Sequence, residues 1–160
     1  MVHKIAYLGP PGTYSEEATL RYASGAQHVP FASISAVASA VTSGLTDEGL
    51  VPIENSLEGA VTDTLDLLIR ESTLFTRAEL VLPISHCLLV VPGTLAKDVM
   101  VIYSHPQALG QCRAFLERSF PNAQVVASLS TVSAVEEMQS SKQTAAAIAP
   151  RRAAELYKSE

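Results

Sequence analysis

The sequence predicts an α/β protein of largely parallel strands arranged in two lobes. Three observations carry the prediction. Short apolar runs alternate with helix-periodic segments along nearly the whole chain. Two of those runs end in polar clusters that lead straight into helices. The rhythm breaks once, around Pro83, inside the long apolar stretch Glu79–Gly93. With 160 residues, 48% of them apolar and 17% charged, the chain has enough apolar side chain to bury a real core.

Taken in order, the predicted strands are Lys4–Leu8, Gln27–Phe31, Gly49–Ile53, Leu80–Val91, Val99–Tyr103, Ala123–Ala127 and Ala145–Ala149. Helices are expected at Ser15–Ala23 and Ser35–Ser43. Gly59–Arg70 carries Val61, Leu65 and Leu68 on one face. Pro106–Ser119 repeats that spacing with Leu109, Cys112 and Leu116, and places proline at the favoured first helical position. Thr131–Ser140 and Arg151–Lys158 complete the set. Proline cannot donate to a central ladder, so Pro83 marks a strand end and a change of direction. The expected division is residues 1–82 and 83–160, with a cleft between; one continuous sheet is the alternative.

Charge and composition exclude several functions. A formal charge of -5 with scattered Lys and Arg offers no basic stripe to nucleic acid or to an acidic membrane. No apolar run reaches membrane-spanning length, and the start MVHKIAYLG has no signal-peptide pattern, so a cytoplasmic protein is expected. Cys87 and Cys112 form no CxxC motif and are expected to be reduced thiols. His3, His28, His86 and His105 show no ligand spacing, so no metal is expected.

The turn YLGPPGTYSEEA, Tyr7–Ala18, invites a phosphate-loop reading, which fails on residue identity. Counted from Gly9, Tyr14 stands where the second glycine belongs and Ser15 where the lysine belongs. What remains is a tight turn into a capped helix, with Thr13 as cap and Glu16 three residues on. Its backbone amides suit a carboxylate as well as a phosphate.

GLVPIENSLEGAV and VIYSHPQALGQC share one construction: an apolar strand, a polar cluster, then a helix. Ligands of parallel sheets lie beyond the carboxyl ends of strands. Glu54, Asn55 and Ser56, like Ser104, His105 and Gln107, are therefore candidate ligand-binding residues. They supply hydrogen bonding and charge stabilisation rather than a nucleophile and base. Each also has a plain structural reading. Ser56 reads as a helix cap, Asn55 as a turn residue and Glu54 as a solvated charge. His105 reads as an extended residue before proline, and Gln107 as ordinary helix surface.

The segments VPIENSLEGAV and SHPQALGQC, in this order, resemble the two internal signatures of the prephenate dehydratase family. AYLGPPGTYSEEA resembles the family's N-terminal segment and ELVLPISHCLLV its middle segment. STVSAVEEM resembles its serine-threonine turn, and TAAAIAPRRAAELY its late strand and helix. The resemblance implies a two-lobed fold like that of type II periplasmic binding proteins, with an active-site cleft between lobes. It also implies cofactor-free conversion of prephenate to phenylpyruvate, with loss of water and carbon dioxide, in phenylalanine biosynthesis. By that resemblance Asn55 and Gln107 hold the catalytic polar positions. Glu54, Ser56, Ser104, His105, Thr13, Ser15 and Thr131 bind substrate, and the enzyme is a homo-oligomer. A noncatalytic two-lobed module for a small carboxylate is the alternative.

One departure stands out. The family's later Thr-Arg-Phe motif, with its essential threonine, has no counterpart; Thr76-Arg77 is followed by Ala78 and lies too early. The 160 residues are therefore expected to be the N-terminal part of a catalytic region, without the return segment and the regulatory domain. Such a piece is expected to self-associate and to have negligible activity.

Overall fold

The computed structural model describes residues 2–56, 59–70 and 73–160. The chain divides into two units, Met1–Pro83 and Ile84–Glu160. In the first, β1 (Lys4–Leu8) lies between β2 (Gln27–Phe31) and β3 (Glu48–Leu50), both parallel to it. Ile5, Ala6 and Tyr7 are all buried, as a central strand requires when helices cover both faces of a sheet. α1 (Tyr14–Tyr22) connects β1 to β2, and α2 (Ile34–Thr42) connects β2 to β3. Val37 and Ala40 of α2 close over Ala6. Gly49 admits this approach: a Cβ there would stand 2.8 Å from Val37 Cγ1.

Beyond β3 the structure departs from the expected strand Gly49–Ile53. Pairing with β1 ends at Leu50, two residues before Pro52, which has no amide to donate. β4 (Glu54–Asn55) then pairs antiparallel with β5 (Gly59–Ala60), and α3 (Thr62–Arg70) follows. The Thr64 hydroxyl, buried, donates to the Pro52 carbonyl at 2.6 Å. The Val61 amide donates to Ile53 O at 2.8 Å. These two bonds tie α3 to the chain on the other side of the small hairpin.

The second unit has a four-stranded sheet of order β6-β9-β7-β8. Its strands are β6 (His86–Val90), β7 (Val101–Ser104), β8 (Gln124–Ala127) and β9 (Ala145–Pro150). β7 pairs parallel with β8 and β9, and β6 runs antiparallel to β9, so the sheet is largely parallel with one reversed edge strand. The long strand expected at Leu80–Val91 is confined to β6. Leu80–Ser85 has no regular structure, and Val81 is 81% exposed. The helix expected over Pro106–Ser119 is two helices, α4 (Pro106–Gln111) and α5 (Arg113–Ser119). They break at Cys112, whose backbone (φ -96, ψ 3) leaves the helical region. α6 (Thr131–Ser140) and α7 (Arg151–Tyr157) complete the unit.

β9 explains the alanine-rich run. All six of its residues are buried. Ala145, Ala147 and Ala149 join Val135 and Met138 of α6 on one face, while Ala146 and Ile148 join Ile102, Ala108 and Leu116 on the other. This is the two-residue period of a strand covered on both sides. Small side chains let both helix layers come close.

Ile148→Ala should therefore cost about 2–5 kcal/mol and Ala147→Leu about 1–3 kcal/mol, measured by urea unfolding. Alkaline stability follows from two tyrosines. The Tyr22 hydroxyl donates to Glu48 Oε2 at 2.7 Å and the Tyr157 hydroxyl to Glu136 Oε1 at 3.0 Å. Tyr22 titrates above the ordinary tyrosine value, chiefly through its bond to Glu48; Tyr157 does so chiefly through burial, reinforced by Glu136. A raised tyrosine pKa gives stability that is complete below about pH 10 and is lost as pH rises through the folded-state value. Tyr22→Phe and Tyr157→Phe should flatten that decline in unfolding curves recorded above about pH 10.

Candidate functional site

Parallel pairing brings the carboxyl ends of neighbouring strands together, and polar residues stand at that edge in each unit. In the first unit the Gly9 amide donates to Phe31 O at 2.8 Å, joining the exit of β1 to the exit of β2. The turn that follows passes a cis Gly9–Pro10 bond and Gly12 at φ 91, a left-handed conformation suited to glycine. Thr13 caps α1: its Oγ1 accepts the Glu16 amide at 3.3 Å and donates to Pro10 O at 2.9 Å. Glu16 is 9% exposed, and its Oε2 accepts the Gly12 amide at 2.8 Å. In a capping box the carboxylate returns to the cap residue's own amide; here it reaches one residue further back. The protein's own carboxylate thus occupies a turn amide that the sequence offered to a ligand anion. Ser15 lies half-buried in the first turn of α1.

Sequence reasoning passed over the exit of β2. Ser33 caps α2 through a 3.2 Å bond from the Ala36 amide, and its hydroxyl lies 3.0 Å from that of Ser35. The signal was present, since Ser33-Ile34-Ser35 follows the end of a predicted strand. Past β3, Glu54 is exposed and Asn55 half-buried in β4, with Ser56 exposed in the turn. Ser56 does not cap a helix, because α3 begins six residues later at Thr62. Leu57 and Glu58 of the ENSLEGAV segment lie outside the described residues.

In the second unit the Ser128 amide donates to Ser104 O at 2.8 Å, which joins the exits of β7 and β8. Ser104 is fully buried, and its hydroxyl donates to Ile148 O at 2.6 Å, so this side chain ties β7 to β9. His105 caps α4, its Nδ1 accepting the Gln107 amide at 3.3 Å. Neutral His105 therefore carries its proton on Nε2. Gln107 is half-buried one turn before Gln111, whose Oε1 meets His86 Nε2 at 2.6 Å. Thr131 opens α6 behind the cap Ser130, whose Oγ accepts the Ser133 amide at 2.9 Å. The buried Ser128 hydroxyl, also unmarked by sequence, donates to Glu137 Oε2 at 3.1 Å.

Asn55 thus belongs to the first unit and Gln107 to the second. The first unit's candidates supply hydroxyls, a carboxylate and the Asn55 amide; the second unit's supply hydroxyls, the Gln107 amide and the His105 imidazole. Burial pushes the Cys112 thiol up, away from the thiolate that a nucleophile needs. Among the described residues no three or more His, Cys, Asp or Glu side chains gather to hold a metal ion, and no helix is long and apolar enough to cross a membrane. A shallow groove of about 270 Å³ lies on the first unit, lined by Ser33, Ile34, Ser35, Asp63, Asp66, Leu67 and Arg70. It contains none of the residues singled out from sequence.

The class so defined is an α/β protein that presents hydrogen-bonding side chains at the carboxyl edges of parallel strands, the usual place for a small polar ligand. The family model for prephenate dehydratase matches residues 5–160, and the chain belongs to that family. It is 41% identical over 155 residues to the bifunctional chorismate mutase/prephenate dehydratase of Pseudomonas aeruginosa, covering 96% of this chain and 42% of that protein. The solved structure of prephenate dehydratase from Arthrobacter aurescens in complex with L-Phe superposes with a TM-score of 0.87 at 32% identity. That match covers 96% of this chain and 52% of the other. A structure described as GqqA, a novel type of quorum quenching acylase, also gives a TM-score of 0.87 at 31% identity, over 99% of this chain and 57% of its own. The chain thus spans less than two thirds of each of these proteins.

The Glu16–Gly12 bond yields a direct expectation. Glu16→Ala leaves the buried Gly12 amide without its carboxylate and should cost about 1–3 kcal/mol in denaturant unfolding. Glu16→Gln keeps an oxygen acceptor and should recover most of that loss.

Proposed function

We propose that the protein acts as a prephenate dehydratase, converting prephenate to phenylpyruvate with release of water and carbon dioxide in phenylalanine biosynthesis. The observation that carries this reading is the family match over residues 5–160, together with the polar residues Ser104, His105 and Gln107 where β7 runs into α4. We further propose that the two units are lobes like those of a type II periplasmic binding protein, and that Asn55 and Gln107 both act on the substrate. The enzyme is proposed to work in the cytoplasm as a homo-oligomer, without metal or organic cofactor.

The chemistry asks for what these residues supply. Prephenate carries two carboxylates and a ring hydroxyl. Breaking the ring carbon–carboxylate bond releases carbon dioxide and sends its electron pair into the ring, which expels the hydroxyl; a proton from solvent completes the water molecule. Aromatisation drives the step, so covalent help is unnecessary. Amide donors from Asn55 and Gln107 stabilise the leaving oxygen and orient the ring. His105 shapes the second unit's wall, with the imidazole Nε2–H as a further donor, while Ser104 supports it from within by joining β7 to β9. Glu54, Ser56, Thr13, Ser15 and Thr131 contact the substrate's polar groups, and removal of water from the departing carboxylate favours its loss.

The test is phenylpyruvate formation from prephenate by the native gene product, read by absorbance in alkali. Asn55→Ala and Gln107→Ala should each lower kcat by about 10²–10³, the scale of one lost positioned donor, with the thermal midpoint nearly unchanged. Prephenate binding without turnover would instead identify a noncatalytic carboxylate-binding module. Acylase activity in its place would align the chain with its GqqA-like neighbour.

A further inference from the structure

We propose that His86 and Gln111 form a positioning pair that sets the orientation of Gln107; the proposal rests on the dehydratase reading above. The hydrogen bond between them, 2.6 Å from His86 Nε2 to Gln111 Oε1, joins the first residue of β6 to the last residue of α4. An amide oxygen can only accept, so His86 Nε2 donates and its tautomer is defined. Both side chains are half-buried, where such a bond competes less with water.

α4 needs holding. It has only six residues, and the bend at Cys112 separates it from α5. A helix that short is unstable by itself, because its few internal bonds do not offset the cost of starting it. Ala108 is buried with Ile102, Ala146 and Ile148, and Leu109 packs against the same cluster, but these apolar contacts carry no directed bond that fixes where the polar side chains of α4 stand. Gln107 and Gln111 are four residues apart and share a face. The bond at Gln111 therefore opposes the same rotation that would swing Gln107 out of place. At the other end, His105 Nδ1 accepts the Gln107 amide. Two histidines, one before the helix and one from a strand that precedes it by fifteen residues or more, hold α4 at its two ends.

His86 is thus a positioning residue, not a catalytic one. The experiment uses the native gene product: prephenate kinetics, thermal unfolding, and the ¹H–¹⁵N spectrum of the Gln107 side-chain amide. His86→Leu and Gln111→Leu should each lower kcat about tenfold to a hundredfold, as small misplacements do, with KM changed less than about twofold. His86→Gln restores a donor near the Nε2 position and should recover most of the loss. In a Gln107→Ala background, adding His86→Leu should cost nothing more, because its effect runs through Gln107. Wild-type kinetics in both leucine variants, no recovery in His86→Gln, or a full additional loss beside Gln107→Ala would each overturn the pair. So would a Gln107 amide resonance unmoved by both leucine variants. Wild-type protein without turnover overturns the dehydratase reading instead, and the Gln107 resonance then still decides whether the pair sets this side chain.

Discussion

Parallel pairing is the constraint on which the remaining structure depends. When β2 and β3 flank β1 in one direction, each must return through a crossover, and the crossovers are helices that cover the sheet. Every parallel strand then exits at the same edge. The bonds from Gly9 to Phe31 and from Ser128 to Ser104 are where that edge closes, one in each unit. Polar residues that are distant in sequence become neighbours because their strands are.

The same constraint shapes the cores. β9 lies between two strands and between two layers of helix, so it has no polar face, and its alanines set how near the helices come. Polar groups at its border must find partners inside the protein, as Ser104 does with Ile148. A hydroxyl that looks like a ligand contact in sequence can be fully engaged in joining strands. The Glu16 carboxylate shows the converse, since an internal group takes the place of an external anion.

Much of the fold was legible from residue pattern. The strands Lys4–Leu8 and Gln27–Phe31 and the helix Thr131–Ser140 stand where periodicity placed them, because burial on one or both faces imprints itself on local spacing. The capping pair at Thr13 and Glu16 was legible for the same reason: capping is short-range. Less visible were the break at Cys112, the hairpin at Glu54–Ala60 and the antiparallel β6. Periodicity continues unbroken through Cys112, where only backbone geometry interrupts the helix. Direction is invisible in an apolar run, since a strand reads the same whichever neighbour it meets.

The sequence by itself determined the alternation of strands and helices, the polar character of the exit from β7, and the family to which the chain belongs. These properties reside in residue identity and near spacing. Only the tertiary structure decided that the Gly12 amide is taken by Glu16, that the Ser104 hydroxyl binds a strand carbonyl, and that His86 meets Gln111. Each is a hydrogen bond a few ångströms long, and such a bond needs both partners in place. Where those partners belong to different strands and helices, as with Ser104 and Ile148 or His86 and Gln111, packing alone brings them together. Glu16 and Gly12 are near in sequence, yet the turn geometry chose which amide the carboxylate would reach.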